Sequence, residues 1–195
     1  MSLFSKRDRN AEPNEILIPH YHYKRIDEIT PEDIFSWGVK GVAIDIDNTI
    51  CYDSTAIYIG RAKEWVESMR GKIPLMIVSN ANASRAMYIA KKLNIPCIPM
   101  AKKPNIKPYN KAAKILGLDI GEIAFIGDQI FSDVKGANCA GAVSVYVEPP
   151  AKEIIFYFFY KYRRFKEKPI IRKMLELERI SALPHKVREK VNENG

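Results

Sequence analysis

Two carboxylates one residue apart, Asp45 and Asp47, close an apolar run in the segment Val42-Ala-Ile-Asp-Ile-Asp-Asn-Thr-Ile50. A run of Val, Ala and Ile reads as a strand buried on both faces, as a central parallel strand is. Side chains at i and i+2 of a strand share a face, so the two acids occupy one small volume. Anions that close repel unless a cation or a proton lies between them, and a divalent metal is the simplest neutraliser. Three further polar groups each follow an apolar stretch: Ser79-Asn80 after Leu-Met-Ile-Val, Lys102-Lys103-Pro104 after Cys-Ile-Pro-Met-Ala, and Gly127-Asp128-Gln129 with Asp133 after Ile-Ala-Phe-Ile. In an open parallel sheet all of these emerge on the edge where ligands bind.

That inventory suits a phosphate ester held on Mg²⁺. Asp45 is the expected nucleophile, attacking phosphorus to form an aspartyl-phosphate. Asp45, Asp128 and the backbone carbonyl of Asp47 are the expected metal ligands. The Asp47 carboxyl is left to protonate the departing alkoxide and then deprotonate water. Ser79, Asn80 and Lys103 are the expected phosphate binders. Lys102 and Lys107 compete for the role of Lys103, and Asp133 is a supporting acid.

The elements that must carry these groups alternate along the chain. Strands are expected over Val42–Ile46, Leu75–Val78, Ile123–Ile126 and Val143–Val147, with a short apolar segment at Cys97–Met100, and helices over Ala62–Arg70, Ser84–Leu93, Tyr109–Leu116 and Ser132–Ala140. Thr30-Pro-Glu-Asp33 is a helix start, with a capping hydroxyl, proline at the first position and acids in the first turn. Strand–helix alternation predicts right-handed βαβ units: an α/β, three-layer α/β/α Rossmannoid fold with a central parallel sheet. Residues 1–17 read as a flexible N-terminus, 18–150 as the phosphatase domain and 151–195 as a basic aromatic helical tail beyond Glu148-Pro-Pro150.

These motifs resemble, in order, the four of the haloacid-dehalogenase (HAD) superfamily phosphatases, across residues 42–133. The stretches VSNAN, KKPNIKPYNKA and GDQIFSDVKGAN bring a closer resemblance to the YqeG-type group of subclass IIIA, from about residue 16 to 150. The resemblance implies Asp45 as nucleophile and Mg²⁺ ligand, Asp47 as acid/base, Ser79 and Lys103 as phosphate binders and Asp128 as metal ligand. It also implies kinship with the phosphatidylglycerophosphate phosphatases, which act on a lipid-borne phosphate.

Spacing and charge bear on the substrate. With 31 residues between Asp47 and Ser79 and 23 between Ser79 and Lys103, each gap holds one helix and its connections. There is no room for a large cap domain; Cys51–Tyr58 could form only a small flap. An open site favours a phosphate on something large. Of the net charge of +8, residues 151–195 carry +6, with 12 basic and 6 acidic side chains. Residues 152–168 pack aromatic rings beside Lys and Arg, with Ile155, Phe158, Phe159, Tyr162 and Phe165 on one helical face and Lys161, Arg164 and Lys168 elsewhere. That composition suits an anionic membrane surface. The chain therefore reads as a cytoplasmic phosphatase held peripherally on the membrane and acting on a phosphorylated lipid. Alternatives are a phosphatase for nucleic-acid ends or phosphoproteins, and a non-catalytic binding module. Three scattered cysteines with no CxxC spacing exclude a zinc ribbon or disulfide framework. No apolar run is long enough to span a bilayer, and no secretory leader is expected from MSLFSKRDRN. Oligomeric state has no sequence signature here.

Overall fold

A computed structural model describes residues 15–150 and 157–181 of the chain, with side chains described over 16–150 and 164–177. Its sheet has six parallel strands: β1 (Tyr21–Tyr23), β2 (Gly41–Ile44), β3 (Leu75–Val78), β4 (Cys97–Ile98), β5 (Ile123–Gly127) and β6 (Val143–Val147). Their spatial order is β1-β6-β5-β2-β3-β4. The helices are α1 (Pro31–Ser36), α2 (Ala62–Met69), α3 (Ala83–Leu93), α4 (Lys107–Leu116), α5 (Lys135–Ala140) and α6 (Tyr157–Ser181).

The strand residues alternate between two cores, as the two-residue repeat requires. Val42, Ile44, Leu75, Ile77, Ala124 and Ile126 pack with Trp65, Val66 and Met69 of α2 and with Ile89 and Leu93 of α3. Ala43, Met76, Val78, Ile123 and Phe125 pack instead with Tyr109 and Ala112 of α4 and Ala137 of α5. The sheet is thus sandwiched between two helical layers, the expected α/β/α arrangement. Each large aliphatic side chain fully buried this way contributes about 1.5–3 kcal/mol.

Local signals fix the helix ends. Thr30 accepts from the Asp33 N–H at 3.1 Å while the Asp33 carboxylate accepts from the Thr30 N–H at 2.9 Å, a closed capping box. Gly117 ends α4 in the left-handed region at φ 67°, where glycine has no Cβ to clash. The indole N–H of Trp65 donates to the Ile29 carbonyl at 2.7 Å, tying α2 to the segment before α1.

Three features differ from expectation. Tyr21–Tyr23 forms an edge strand parallel to β6, too short to leave a readable alternation. The helix expected over Ser132–Ala140 is a π-helical turn, Ile130–Val134, leading into α5. Within the stretch expected to be loose, Glu15–Leu17 forms a 3₁₀ turn, and the Asn138 amide donates to the carbonyls of Ile16 and Ile18 at 2.8 and 3.0 Å. Residues 1–14, Ile155 and the side chains of Phe158, Phe159, Lys161 and Tyr162 lie outside the described residues. Among the described residues, no helix is long and apolar enough to cross a membrane.

Candidate active site

Asp45 is the first residue past β2, and its N–H still donates to the Ile126 carbonyl of β5 at 2.9 Å. The ladder therefore carries the backbone right up to the carboxylate. Asp128 follows the last residue of β5, Ser79 the last of β3, and Lys103 lies in the loop between β4 and α4. All four sequence-predicted strand ends converge at one edge.

At the centre is Lys103. Its ammonium lies 2.8 Å from Asp45 Oδ1 and 2.5 Å from Asp133 Oδ1, all three side chains at most 5% exposed. Burial opposes the charge on Lys103, but the Asp133 and Asp45 carboxylates outweigh it and raise its pKa. Lys102 and Lys107 are exposed; of the three lysines, it is Lys103 whose ammonium reaches the acid cluster. The Lys103 N–H donates to the Asn80 side-chain oxygen at 2.8 Å, and the Asn80 amide returns a bond to the Lys103 carbonyl at 3.3 Å. Asn80 thus locks the lysine loop to the end of β3. Lys102, one residue before, sits at φ 58° and Met100 at φ 48°, a left-handed backbone that non-glycine residues adopt at a cost of about 1–3 kcal/mol each. Ser79 is fully buried, its hydroxyl accepting from the Ala81 N–H at 3.2 Å.

One oxygen from each of Asp45, Asp128 and Asp133 lies within 4.8 Å of the others, a set able to hold a metal ion. Two of the carboxylate oxygens, Asp45 Oδ1 and Asp128 Oδ1, are buried without a hydrogen-bond donor among the described residues. The Lys103 contact with Asp45 is therefore one of charge without hydrogen-bond alignment. Three clustered carboxylates, two of them with an oxygen that no hydrogen-bond donor among the described residues reaches, fit a hard divalent cation. Burial pushes the Asp133 carboxyl up to about 6 against the pull of Lys103. It pushes Asp128 well above the carboxylate range against the pull of Arg164.

Asp133 is delivered by the π turn. The Gln129 N–H donates to Asp133 Oδ2 at 3.1 Å, and the Asp133 N–H to the Gln129 carbonyl at 2.8 Å. A Cβ on Gly127 would run into the Asp133 carboxyl, so only glycine lets the turn fold back this tightly. From the other side the Tyr109 hydroxyl donates to the Ser132 carbonyl at 3.0 Å. Single π turns of this kind recur at functional sites.

Asp47 stands apart from the acid cluster. Its carboxylate accepts two bonds from Arg85 Nη2, at 2.7 and 2.6 Å, and one from the Ser54 N–H at 3.0 Å. Burial raises its pKa and Arg85 opposes the rise. Arg85 also donates to the Thr55 carbonyl at 2.9 Å, inside the predicted flap. That flap is a small hairpin: Tyr52 N–H to the Ile57 carbonyl at 2.9 Å and Ile59 N–H to the Ile50 carbonyl at 3.0 Å.

Three participants were not singled out from sequence. Arg85 sits in the first turn of α3, where a cation opposes the helix dipole; that mismatch was a usable signal that an acid holds it. Arg164 and Glu167 of α6 reach the Asp128 loop, and nothing local distinguishes Arg164 from its basic neighbours. Glu167 is fully buried.

Comparison with known proteins places this geometry among relatives. A family described as "Mitochondrial PGP phosphatase" matches residues 9–152. The chain is 36% identical over 138 residues to the "Probable phosphatase YqeG" of Bacillus subtilis (strain 168), covering 70% of this chain and 80% of that protein. It is 31% identical over 83 residues to the phosphoglycolate phosphatase of Neisseria meningitidis, covering 37% of this chain and 34% of that protein. Among solved structures, the cobalt-bound deoxy-D-mannose-octulosonate 8-phosphate phosphatase of Haemophilus influenzae aligns over 55% of this chain and 69% of that one, with 18% identity and a TM-score of 0.46.

Proposed function

This chain belongs to the mitochondrial PGP phosphatase family of HAD-type phosphatases, and from that premise we propose that it removes the terminal phosphate of phosphatidylglycerophosphate in a Mg²⁺-dependent reaction. Asp45, Asp128, Asp133 and the backbone carbonyl of Asp47 would hold the cation. When bound, Mg²⁺ supplies the positive charge that lets a carboxylate approach a phosphate dianion.

The chain's own groups supply the remaining steps. An Asp45 oxygen attacks phosphorus; the ester P–O bond breaks and its electron pair leaves on the lipid glycerol oxygen, which takes the Asp47 proton. Burial favours the protonated Asp47 that this step needs. Water then attacks the aspartyl-phosphate, giving up its proton to Asp47, and phosphate leaves while Asp45 is regenerated. The Lys103 ammonium and the Ser79 hydroxyl stabilise the equatorial oxygens, where the transition-state charge accumulates.

The observation that carries the lipid assignment is the mouth of the site. Among the described residues, the hairpin at residues 50–59 is tied to Asp47 through Ser54 and Arg85. Ile57 in the hairpin, Met100 in the lysine loop and Ile106 just before α4 are all exposed, as are Lys102 and Lys107. Exposed apolar side chains and ammonium groups on the segments that follow β2 and β4 suit a surface of acyl chains and phosphates. Phe165, 68% exposed, and the exposed Lys168 on α6 extend the same chemistry. Each basic group near an anionic leaflet contributes about 1 kcal/mol to reversible attachment.

The test is phosphate release from phosphatidylglycerophosphate in mixed micelles by wild type and Asp45→Asn, with an oligonucleotide 3′-phosphate as a parallel substrate. Release by wild type alone, dependent on Mg²⁺ and faster on lipid, is the expected outcome. Equal rates for both proteins remove the role of Asp45, and faster release from the oligonucleotide removes the lipid.

A further inference from the structure

The C-terminal helix enters the active site. Arg164 Nη1 donates to the Asp128 backbone carbonyl at 2.8 Å and to Glu167 Oε2 at 2.7 Å, while Nη2 pairs with Asp128 Oδ2. One helical turn on, Glu167 Oε1 accepts from the Ile130 N–H at 3.0 Å. The pair therefore grips the loop that delivers Asp128 and Asp133 at three points: the carbonyl and carboxylate of residue 128 and the amide that opens the π turn. Seven residues past Glu167, Met174 is fully buried and packs with Ile130, Val134 and Tyr146. Apolar contact thus continues the same face of the helix.

A helix that needed only to cover an apolar surface has no use for a buried Glu and a largely buried Arg; each is expensive to desolvate. Their arrangement makes sense against Asp128. One oxygen of that carboxylate is fixed by Arg164 and the other, Oδ1, has no donor among the described residues. Pinning one oxygen holds the other in place for a ligand, as partners behind metal-binding carboxylates do. Formal charge agrees. With every group ionised, the buried acids Asp45, Asp128, Asp133 and Glu167 against Lys103 and Arg164 leave two negative charges, the complement of one divalent cation.

We propose that Arg164 is a positioning residue for Asp128 and that the divalent-cation site is complete only when α6 is docked. Cation binding and helix docking are then linked: whatever favours one favours the other. The inference rests on the cation site of the proposed function and adds to it a part of the chain beyond the four motifs.

The experiment uses the intact chain and Mn²⁺ as the probe, with affinity read by electron paramagnetic resonance of the free ion and backbone exchange of residues 164–177 read by hydrogen–deuterium mass spectrometry. Arg164→Gln is expected to weaken Mn²⁺ binding by about 10- to 100-fold, with Arg164→Lys recovering part of it. Met174→Ala, which loosens docking without touching a charge, is expected to weaken Mn²⁺ in the same direction. In wild type, Mn²⁺ is expected to slow exchange across α6 relative to chelator. Unchanged affinity in Arg164→Gln with a lower melting temperature reduces α6 to a structural brace and overturns the proposal. Tighter binding overturns it too, by making Arg164 a competitor of the cation. Should Arg164→Gln not fold, the Met174→Ala affinity and the wild-type exchange decide, and no change in both refutes the linkage. Failure of wild type itself to bind Mn²⁺ strikes the proposed function rather than this inference.

Discussion

Lys103→Met isolates the charge that holds the acid cluster together. Methionine keeps the apolar stem and approximate length of lysine but removes the ammonium lying 2.8 Å from Asp45 and 2.5 Å from Asp133. Breaking a buried pair from one side costs about 3–5 kcal/mol, because the stranded carboxylates have no solvent to turn to. Two like charges at the 4.8 Å span of the cluster repel by about 3.5 kcal/mol at an effective dielectric of about 20, so the two routes agree. The acids can escape by taking a proton, which gives the effect a pH signature. Burial raises the Asp133 carboxyl to about 6 even with Lys103 present, against about 3.9 in an unfolded chain. Between those values the native state binds more protons than the unfolded one. The stability gained from protonated Asp133 is therefore full below about pH 4 and lost as pH rises through about 6. Without Lys103 to pull it down, Asp133 holds its proton to higher pH and that loss extends upward. Thermal unfolding by circular dichroism in chelator should show Lys103→Met about 6–20 °C below wild type at about pH 8, taking about 2–4 °C per kcal/mol. The gap should narrow at about pH 5, and excess Mg²⁺ at about pH 8 should narrow it as well, by replacing the lost cation. A gap that is equal at both pH values, or absent at the higher one, refutes Lys103 as the counter-ion of the cluster.

Two further substitutions probe the flanks. Arg85→Gln removes both bonds to Asp47 and the tie to Thr55. Burial then acts on Asp47 against the Ser54 N–H without the guanidinium, so the pH–rate limb set by that carboxyl should move to higher pH, and kcat should fall by up to about 100-fold as the acid loses its orientation; an unmoved limb detaches Asp47 from acid/base duty. Gly127→Ala drives a methyl group into the Asp133 carboxyl, and overpacking of this kind costs about 1–3 kcal/mol. Because the displaced acid also releases Lys103, activity should fall by more than the melting temperature alone explains. Wild-type kinetics in that variant would mean that the turn accommodates the methyl without moving Asp133.

What the sequence revealed was local. β2, β3 and β5 could be read because each is an unbroken apolar run ending in a polar residue, and α1 because Thr30 and Asp33 close their box within four residues. Asp45 and Ser79 could be read for the same reason, since each directly follows its own strand, and Lys103 because it lies in the loop that leaves β4 on the same sheet edge. The π turn was not legible. It depends on Gly127 clearing the Asp133 carboxyl and on Tyr109 bracing Ser132, contacts between elements that no periodicity records. β1 escaped because three residues cannot establish an alternation, and its pairing partner lies 124 residues away.

The C-terminal segment shows where composition misleads. Its basic side chains, Arg164 among them, were read as suited to an anionic membrane surface, yet Arg164 turns inward and is spent on Asp128 and Glu167. Any anionic surface must then be met by the remaining basic groups, with Lys168 and Phe165 among the exposed ones. A helix that uses one face on the catalytic loop and offers another to solvent has no clean apolar stripe, which explains why the sequence alone could not separate packing from membrane contact. Under the proposed reading the two uses are compatible, because Glu167 and Met174 are buried while Phe165 and Lys168 are exposed. Under the proposed reading, a lipid surface that steadies α6 also steadies Asp128, so arrival at the membrane and readiness of the cation site become one event.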